Sequence, residues 1–416
     1  MVKTLLISAF AALAAAQANK YTATAPSDVY AAQATALTSH PTSHVKGKVF
    51  DRFITIWLEN TDFDKAQGDI NLAWLATKGI SLNNYFAVTH PSQPNYVAAI
   101  GGDNFGMDND AFSQIDANVS TVIDLLEDRG ISWGTYQEDM PYSGFEGNWI
   151  NQQTKKNDYV RKHNPPINYN ANTDSRRLSY QKNLTMFNID LKQKTLPQWI
   201  FITPNMTSDG HDTSVTTAGT WTRNFLEPLL DNEYFMKNTL ILVTFDENHT
   251  YGAANRVFSI LLGGAVPKNK VGCSDTNFYN HYSEIATVEA NWGLHTLGRW
   301  DVGANVFDMV AKHTGDIYRP NNDATGASPS RFYNSSFAGP FNEDFETAPY
   351  PVPNIFLFSQ RTFRTVLPKV IETWGLRWIG GWGKSLSNPL SYYRDTVVIP
   401  DGQHPPQGYA VNTVDN

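Results

Sequence analysis

Residues 238–248 read NTLILVTFDEN, and this stretch decides the fold. Leu240 to Phe245 form an unbroken apolar and β-branched run that stops at two adjacent acids, Asp246 and Glu247. A run of that length with no polar alternation predicts a strand covered on both faces. Its charged residues are left at the C-terminal end.

Working outward, residues 50–60 (FDRFITIWLEN) repeat the pattern, with Phe53 to Leu58 ending at Glu59-Asn60. ISWGTYQE (131–138), QWIFITPN (198–205) and RVFSILLGGAV (256–266) predict further strands. Between them, helical spacing appears in DKAQGDINLAWLATKG (64–79), TRNFLEPLLDNEYF (222–235) and NHYSEIATVEANWGL (280–294). STVIDLLEDRG (120–130) also predicts a helix, with Ser120 as its cap and Gly130 as its stop. Strands alternating with helices imply an α/β fold with a mostly parallel central sheet and helices on both faces. In such sheets ligands sit beyond the carboxyl ends of the strands. Glu59-Asn60, the segment Asn205 to Asp212, and Asp246-Glu247 are therefore expected on one rim.

Composition narrows the function. The 416-residue chain is 41% hydrophobic and 17% charged, with a formal net charge of −8 and no basic cluster. Nucleic acid and anionic membrane surfaces need positive patches, so neither is the expected partner. Residues 1–18 have Lys3, an apolar stretch from Leu5 to Ala16, and a small-residue cleavage site. They predict a signal peptide and a secreted, extracellular or wall-associated protein. No later run approaches the about 20 apolar residues of a membrane span. Sequons at Asn118, Asn183, Asn205, Asn248 and Asn334 predict N-linked glycans, although Asn205 and Asn248 fall in segments assigned to the site. Cys273 is the single cysteine, so no internal disulfide is expected. Residues 19–330 are read as the catalytic domain. Residues 331–416, rich in Pro, Gly and Trp, are read as an extension packed on the domain or forming an assembly surface, which leaves a homo-oligomer open.

Residues 88–102 read VTHPSQPNYVAAIGG and hold Ser92 between Pro91 and Pro94. Pro94 suits the first turn of a helix, where exposed amides and the helix dipole favour an anion. Ser92 is then either a plain helix cap or a nucleophile, and a nucleophile needs a base or a metal. Glu59, Asn60, Ser92, Asp246 and Glu247 offer only oxygen, and clustered carboxylates call for a cation of the Ca, Mg or Mn type. Among the histidines, His211 in SDGHD is the preferred proton donor because its loop follows a strand. His90, His249 and His281 also lie near these segments.

IWLENTDFDKA, HPSQPNYVAAIGG, SDGHD, TFDEN and HYSEIATVEANWGL together resemble the phosphoesterase family, which contains secreted fungal acid phosphatases and bacterial phospholipases C. The likeness spans roughly residues 48 to 315 and implies an alkaline-phosphatase-like fold. It implies Ser92 as the attacking residue, Glu59, Asn60, Ser92, Asp246 and Glu247 as metal ligands, and His211 beside the phosphate. Asn95 is expected as a further phosphate donor and His281 as a further catalytic histidine. Where related enzymes bind a second ion, this chain offers only Asp209, His211 and His281, so one divalent ion is expected. Carboxylate ligands also hold a metal at lower pH than imidazoles do. The expected activity is hydrolysis of phosphate monoesters through a phosphoserine. A phospholipase C-type phosphodiesterase and a non-enzymatic secreted glycan-binding protein are the alternatives. A serine-triad esterase is disfavoured because HPSQPN lacks the G-x-S-x-G elbow.

Overall fold

The structure is a computed structural model that describes residues 24–329, 332–337, 339–343, 350–351, 353–359 and 361–377. Residues 1–18, read above as a signal peptide, and the stretch beyond 377 lie outside the described residues.

Ten strands are present among the described residues: β1 (Arg52–Leu58), β2 (Ile80–Phe86), β3 (Trp133–Gln137), β4 (Trp149–Ile150), β5 (Asn157–Tyr159), β6 (Gln181–Asn183), β7 (Trp199–Thr203), β8 (Thr239–Phe245), β9 (Arg256–Leu262) and β10 (Cys273–Asn280). β4 and β5 form a small antiparallel pair. The other eight make one sheet in the order β10-β2-β9-β8-β1-β7-β3-β6. All its pairings are parallel except those of β9, which runs against both β2 and β8. This is the α/β sheet that the apolar runs predict. Every residue of β3, β7 and β8 is buried, as is β1 after Arg52, so helices cover both faces.

The register explains the rim. β1 lies between β8 and β7, with Leu58 opposite Phe245 and Ile56 opposite Ile202. Three parallel neighbours end together, so whatever follows each strand is delivered to one edge of the sheet. Residues 59–60, 246–247 and 204–212 follow those three ends.

Two local differences from the expected elements have clear causes. The helix expected over 64–79 is two helices, Phe63–Gly68 and Ile70–Ala76. Asp69 interrupts it because its side chain accepts the Asn71 and Leu72 amides and caps the second helix. The helix expected to start at Ser120 is capped by Thr121, in a reciprocal box with Asp124. No helix among the described residues is long and apolar enough to cross a membrane.

The described part of 332–377 packs on the domain. Asn255 holds the backbone of Phe332 and Tyr333, and Tyr350 lies edge-on to Phe105. Lys369, on the helix Pro368–Arg377, reaches Asp124.

Candidate active site

The chain reaches the rim a fourth time after β2. Residues 87–91 leave the sheet edge, pass through a cis His90-Pro91 peptide, and enter the helix Ser92–Gly101. Asn95 locks that loop. Its Oδ1 accepts the Val88 and Thr89 amides, and its Nδ2 donates to the Thr89 and Pro91 carbonyls. Asn255 adds a further bond to Thr89 O. Asn95, expected to donate to phosphate, thus has both amide protons committed to backbone. In this geometry it is the brace that aims Ser92.

Ser92 does not cap its helix; Pro91 occupies that position and no side chain caps it. The Ser92 hydroxyl instead lies 3.2 Å from Glu59 Oε2 and 3.3 Å from Glu247 Oε1. Asn60 Nδ2 donates to the same Glu247 oxygen at 3.2 Å, and His90 Nδ1 bonds the other. Tyr96, one helical turn after Ser92, donates to Glu59 Oε1 at 2.6 Å. The expected set of Glu59, Asn60, Ser92, Asp246 and Glu247 is therefore brought to one place. Its four members other than Asn60 are buried.

Asp209 and His163 complete the other side of Glu59. His163 Nε2 lies 3.1 Å from Glu59 Oε1, and His163 Nδ1 lies 3.8 Å from Asp209 Oδ2. Donor atoms of these three buried residues all fall within 4.8 Å of one another, so this group could hold a metal ion. The two remaining histidines of the expected set stand apart from it. His211 is about one-third exposed, bonds Asp212 at 2.8 Å, and has its ring 6.4 Å from that of His163. His281 is enclosed behind the site, where its Nε2 meets the Asp246 carbonyl at 2.6 Å and its Nδ1 faces the Tyr85 hydroxyl at 3.3 Å. Burial pushes its pKa down to about 3, so it is a neutral support and not an acid.

The electrostatics ask for a cation. Glu59, Asp209, Asp246 and Glu247 are buried together. Burial pushes Glu59 up to about 7, with Lys162, His211 and Tyr96 pulling it back. Burial, then the charge of Glu59, raises Asp209 and Asp246 well above the ordinary carboxylate range. Burial raises Glu247 too, against the pull of His90. Burial and the nearby Lys162 hold His163 well below the usual imidazole range. Both Asp246 carboxylate oxygens, Asp209 Oδ2 and His90 Nε2 are enclosed without a well-aligned hydrogen bond, although the Ser92 hydroxyl is close enough to pull the Asp246 carboxyl back. Buried polar atoms are normally paired, and unpaired carboxylates at this density fit a divalent ion that takes their lone pairs.

The phosphoesterase family model matches residues 19–295, well over half of the chain. The chain belongs to the phosphoesterase family.

This phosphoesterase is 58% identical over 279 residues to a protein of Aspergillus fumigatus named acid phosphatase; the alignment covers 67% of this chain and 62% of that one. The chain thus spans under two thirds of that relative's length. It is 51% identical over 356 residues to the phosphate-repressible acid phosphatase of Penicillium chrysogenum, covering 85% of each. Among solved structures, a protein in the alkaline phosphatase superfamily from Vibrio parahaemolyticus overlaps with a TM-score of 0.39 at 12% identity, over 63% of this chain and 73% of that one.

Reading the sequence alone misses Tyr96, His163 and Lys162 as members of the site of this phosphoesterase. Tyr96 carried a usable signal, because i and i+4 share a helix face and Ser92 was already singled out. His163 and Lys162 carried none. They sit on a single 3-10 turn, Arg161–His163, far from any motif, and only the tertiary fold brings them to Glu59.

Proposed function

We propose that this phosphoesterase is a secreted acid phosphatase that hydrolyses phosphate monoesters with Ser92 as nucleophile. One observation carries the reading: the Ser92 hydroxyl turns away from its own helix amides and sits between Glu59 and Glu247. A helix cap would do the reverse. The names of its relatives point to the same activity, and the apolar leader at 1–18 supports secretion.

The residues that would hold a divalent ion are Glu59, Asn60, Ser92, Asp246 and Glu247. Asp209 and His163 extend the cradle on the far side of Glu59. Such an ion would neutralise charge on the phosphoryl oxygens and favour the serine alkoxide. We expect one ion, of the Ca, Mg or Mn type, because oxygen donors dominate.

The residues divide the remaining tasks. Glu59 or Glu247 takes the Ser92 proton as Oγ attacks phosphorus. The Oγ–P bond forms and the bond from phosphorus to the ester oxygen breaks. His211, in its protonated form at the half-open edge, donates to the departing alcohol. In the second half, water attacks phosphorus and gives a proton to His211. The P–Oγ bond breaks, the carboxylate returns its proton to Ser92, and inorganic phosphate leaves. Asn95 and Asn255 keep the loop aimed throughout.

Ser92→Ala tests the scheme. It should lower kcat on the order of 10⁴-fold or more even at saturating divalent ion, which offsets the loss of one ligand oxygen, and wild type quenched in acid should carry phosphate on Ser92. Substantial turnover by Ser92→Ala would overturn the nucleophile assignment.

A further inference from the structure

We infer that Lys162 and the backbone N–H of Gln93 form the cradle that receives the phosphoryl oxygens, and that Asp110 is an internal carboxylate occupying that cradle until substrate displaces it. This rests on the phosphatase reading and assigns the residues that read the substrate's charge.

The geometry is specific. Asp110 Oδ1 accepts the Gln93 amide at 2.9 Å, and Asp110 Oδ2 accepts Lys162 Nζ at 2.6 Å. Gln93 N is the amide next to the nucleophile, at the start of a ten-residue helix, where exposed N–H groups and the dipole favour an anion. Lys162 is adjacent in sequence to His163, which is part of the site. Its side chain is mostly shielded from solvent, and its charge is close enough to Glu59 and Asp246 to act on both. Gln93 N, next to Ser92 in the chain, and Lys162 Nζ are thus already satisfied by one anion of the chain's own making.

Asp110 is placed to leave. Its side chain is 35% exposed, against 17% for Lys162. It belongs to an irregular segment between Gly102 and Ile115 that the Gln93 side chain ties down at Ala111 O and Ser113 Oγ. Asp110 can therefore turn to solvent while its loop stays docked. A phosphate monoester brings more charge and more acceptor oxygens than one carboxylate, so it outcompetes Asp110 for the same donors.

Two substitutions must act in opposite directions on one measurement. With inorganic phosphate as probe, Lys162→Met should weaken binding and raise the monoester KM by about 10- to 100-fold, whereas Lys162→Arg should stay within a few fold. Asp110→Asn should tighten phosphate binding by about 3- to 10-fold. That gain should persist at about 0.5 M salt, where a long-range field effect is screened. It should also disappear when Lys162→Met is added, a coupling that independent sites do not show. Phosphate binding is measured by calorimetry on the metal-loaded full chain, with metal content assayed for every variant. Weaker or unchanged binding by Asp110→Asn, or normal binding by Lys162→Met with metal retained, would overturn the inference. A wild type that binds phosphate but turns over no ester would defeat the phosphatase reading instead.

Discussion

Among the described residues, two of the clusters of buried charge are treated in opposite ways. At Asp190 Oδ2, Lys182 Nζ lies at 2.6 Å and Tyr136 OH at 2.5 Å; at Oδ1, Thr195 Oγ1 lies at 3.3 Å and His40 Nδ1 also bonds. Burial pushes Asp190 up, but Lys182 and these hydrogen bonds outweigh it and hold the carboxyl below its ordinary range. At the rim, Glu59, Asp209, Asp246 and Glu247 are more deeply surrounded by protein and have fewer donors, and burial wins. Neither Asp246 oxygen has a well-aligned donor, and only the nearby Ser92 hydroxyl and the Glu247 amide pull its carboxyl back. The first cluster is closed by its own donors and joins the lead-in at His40 to β3 and β6. The second is left open, and open buried charge marks a place for a ligand.

Removing divalent ions is the harshest test of that contrast. Chelation should reduce turnover by more than about 100-fold, with recovery on adding back a divalent ion. The Asp190 cluster contains no site for the ion and should be indifferent. Full activity in exhaustively stripped protein would erase the distinction between the two clusters.

Mutating one acid in each cluster sharpens the contrast. Asp190→Asn breaks a closed buried pair and strands Lys182, at a cost of about 3–5 kcal/mol in urea unfolding. Activity of the folded fraction should be little changed. Asp209→Asn should behave in reverse. In metal-free protein it removes one of several mutually repelling acids, so stability should be unchanged or higher, while activity falls. If both variants lost stability alike, the rim would be ordinary scaffold.

Glu284 offers a pH readout between these extremes. It is buried behind the site, with Trp57 Nε1 at 3.1 Å and Tyr85 OH at 3.0 Å. Burial pushes it up to about 8, with hydrogen bonds from Thr55, Tyr85 and Trp57 pulling it back. In the unfolded chain a glutamate titrates near ~4.3. Between those two values the folded state holds a proton that the unfolded state has lost. Stability is therefore full below the lower value, falls as pH rises, and levels off above about 8. Glu284→Gln should flatten the decline between pH 5 and 7 by roughly 2 kcal/mol. An unchanged slope would show that Glu284 titrates like an exposed acid.

How much of this was legible beforehand depended on distance along the chain. Three strand ends and their polar tips could be read from runs such as 238–248, because burial on both faces leaves an unbroken apolar signature. The gathering of Glu59, Asp246 and Glu247 followed from the parallel-sheet rule. β2, β6 and β10 went unread: ISLNNYF, QKN and CSDTNFYN carry too many polar residues to look like strands. β2 matters most, since it delivers Ser92. His163 and Lys162 were invisible for a different reason. They reach the site from a 3-10 turn whose sequence, RKH, looks like any solvated basic patch.

The smallest expected effect repeats the paired-against-open contrast at two neighbouring hydroxyls. Ser120 and Thr121 both look like caps for the helix Val122–Asp128. Thr121 is the one that accepts the Ile123 amide, while its own amide donates to Asp124. The Ser120 hydroxyl is buried with no partner. Thr121→Ala should cost about 1 kcal/mol through loss of the cap. Ser120→Ala should cost nothing, or gain a few tenths, because it deletes a polar atom that was never satisfied. Ser120 completes the sequon at Asn118, so both variants belong in protein made without glycosylation and compared by urea midpoint. If Ser120→Ala were the costlier change, the cap would sit one residue earlier than the structure places it. An unpaired buried polar atom, at Ser120 or at Asp246, would then be no guide to function in this chain.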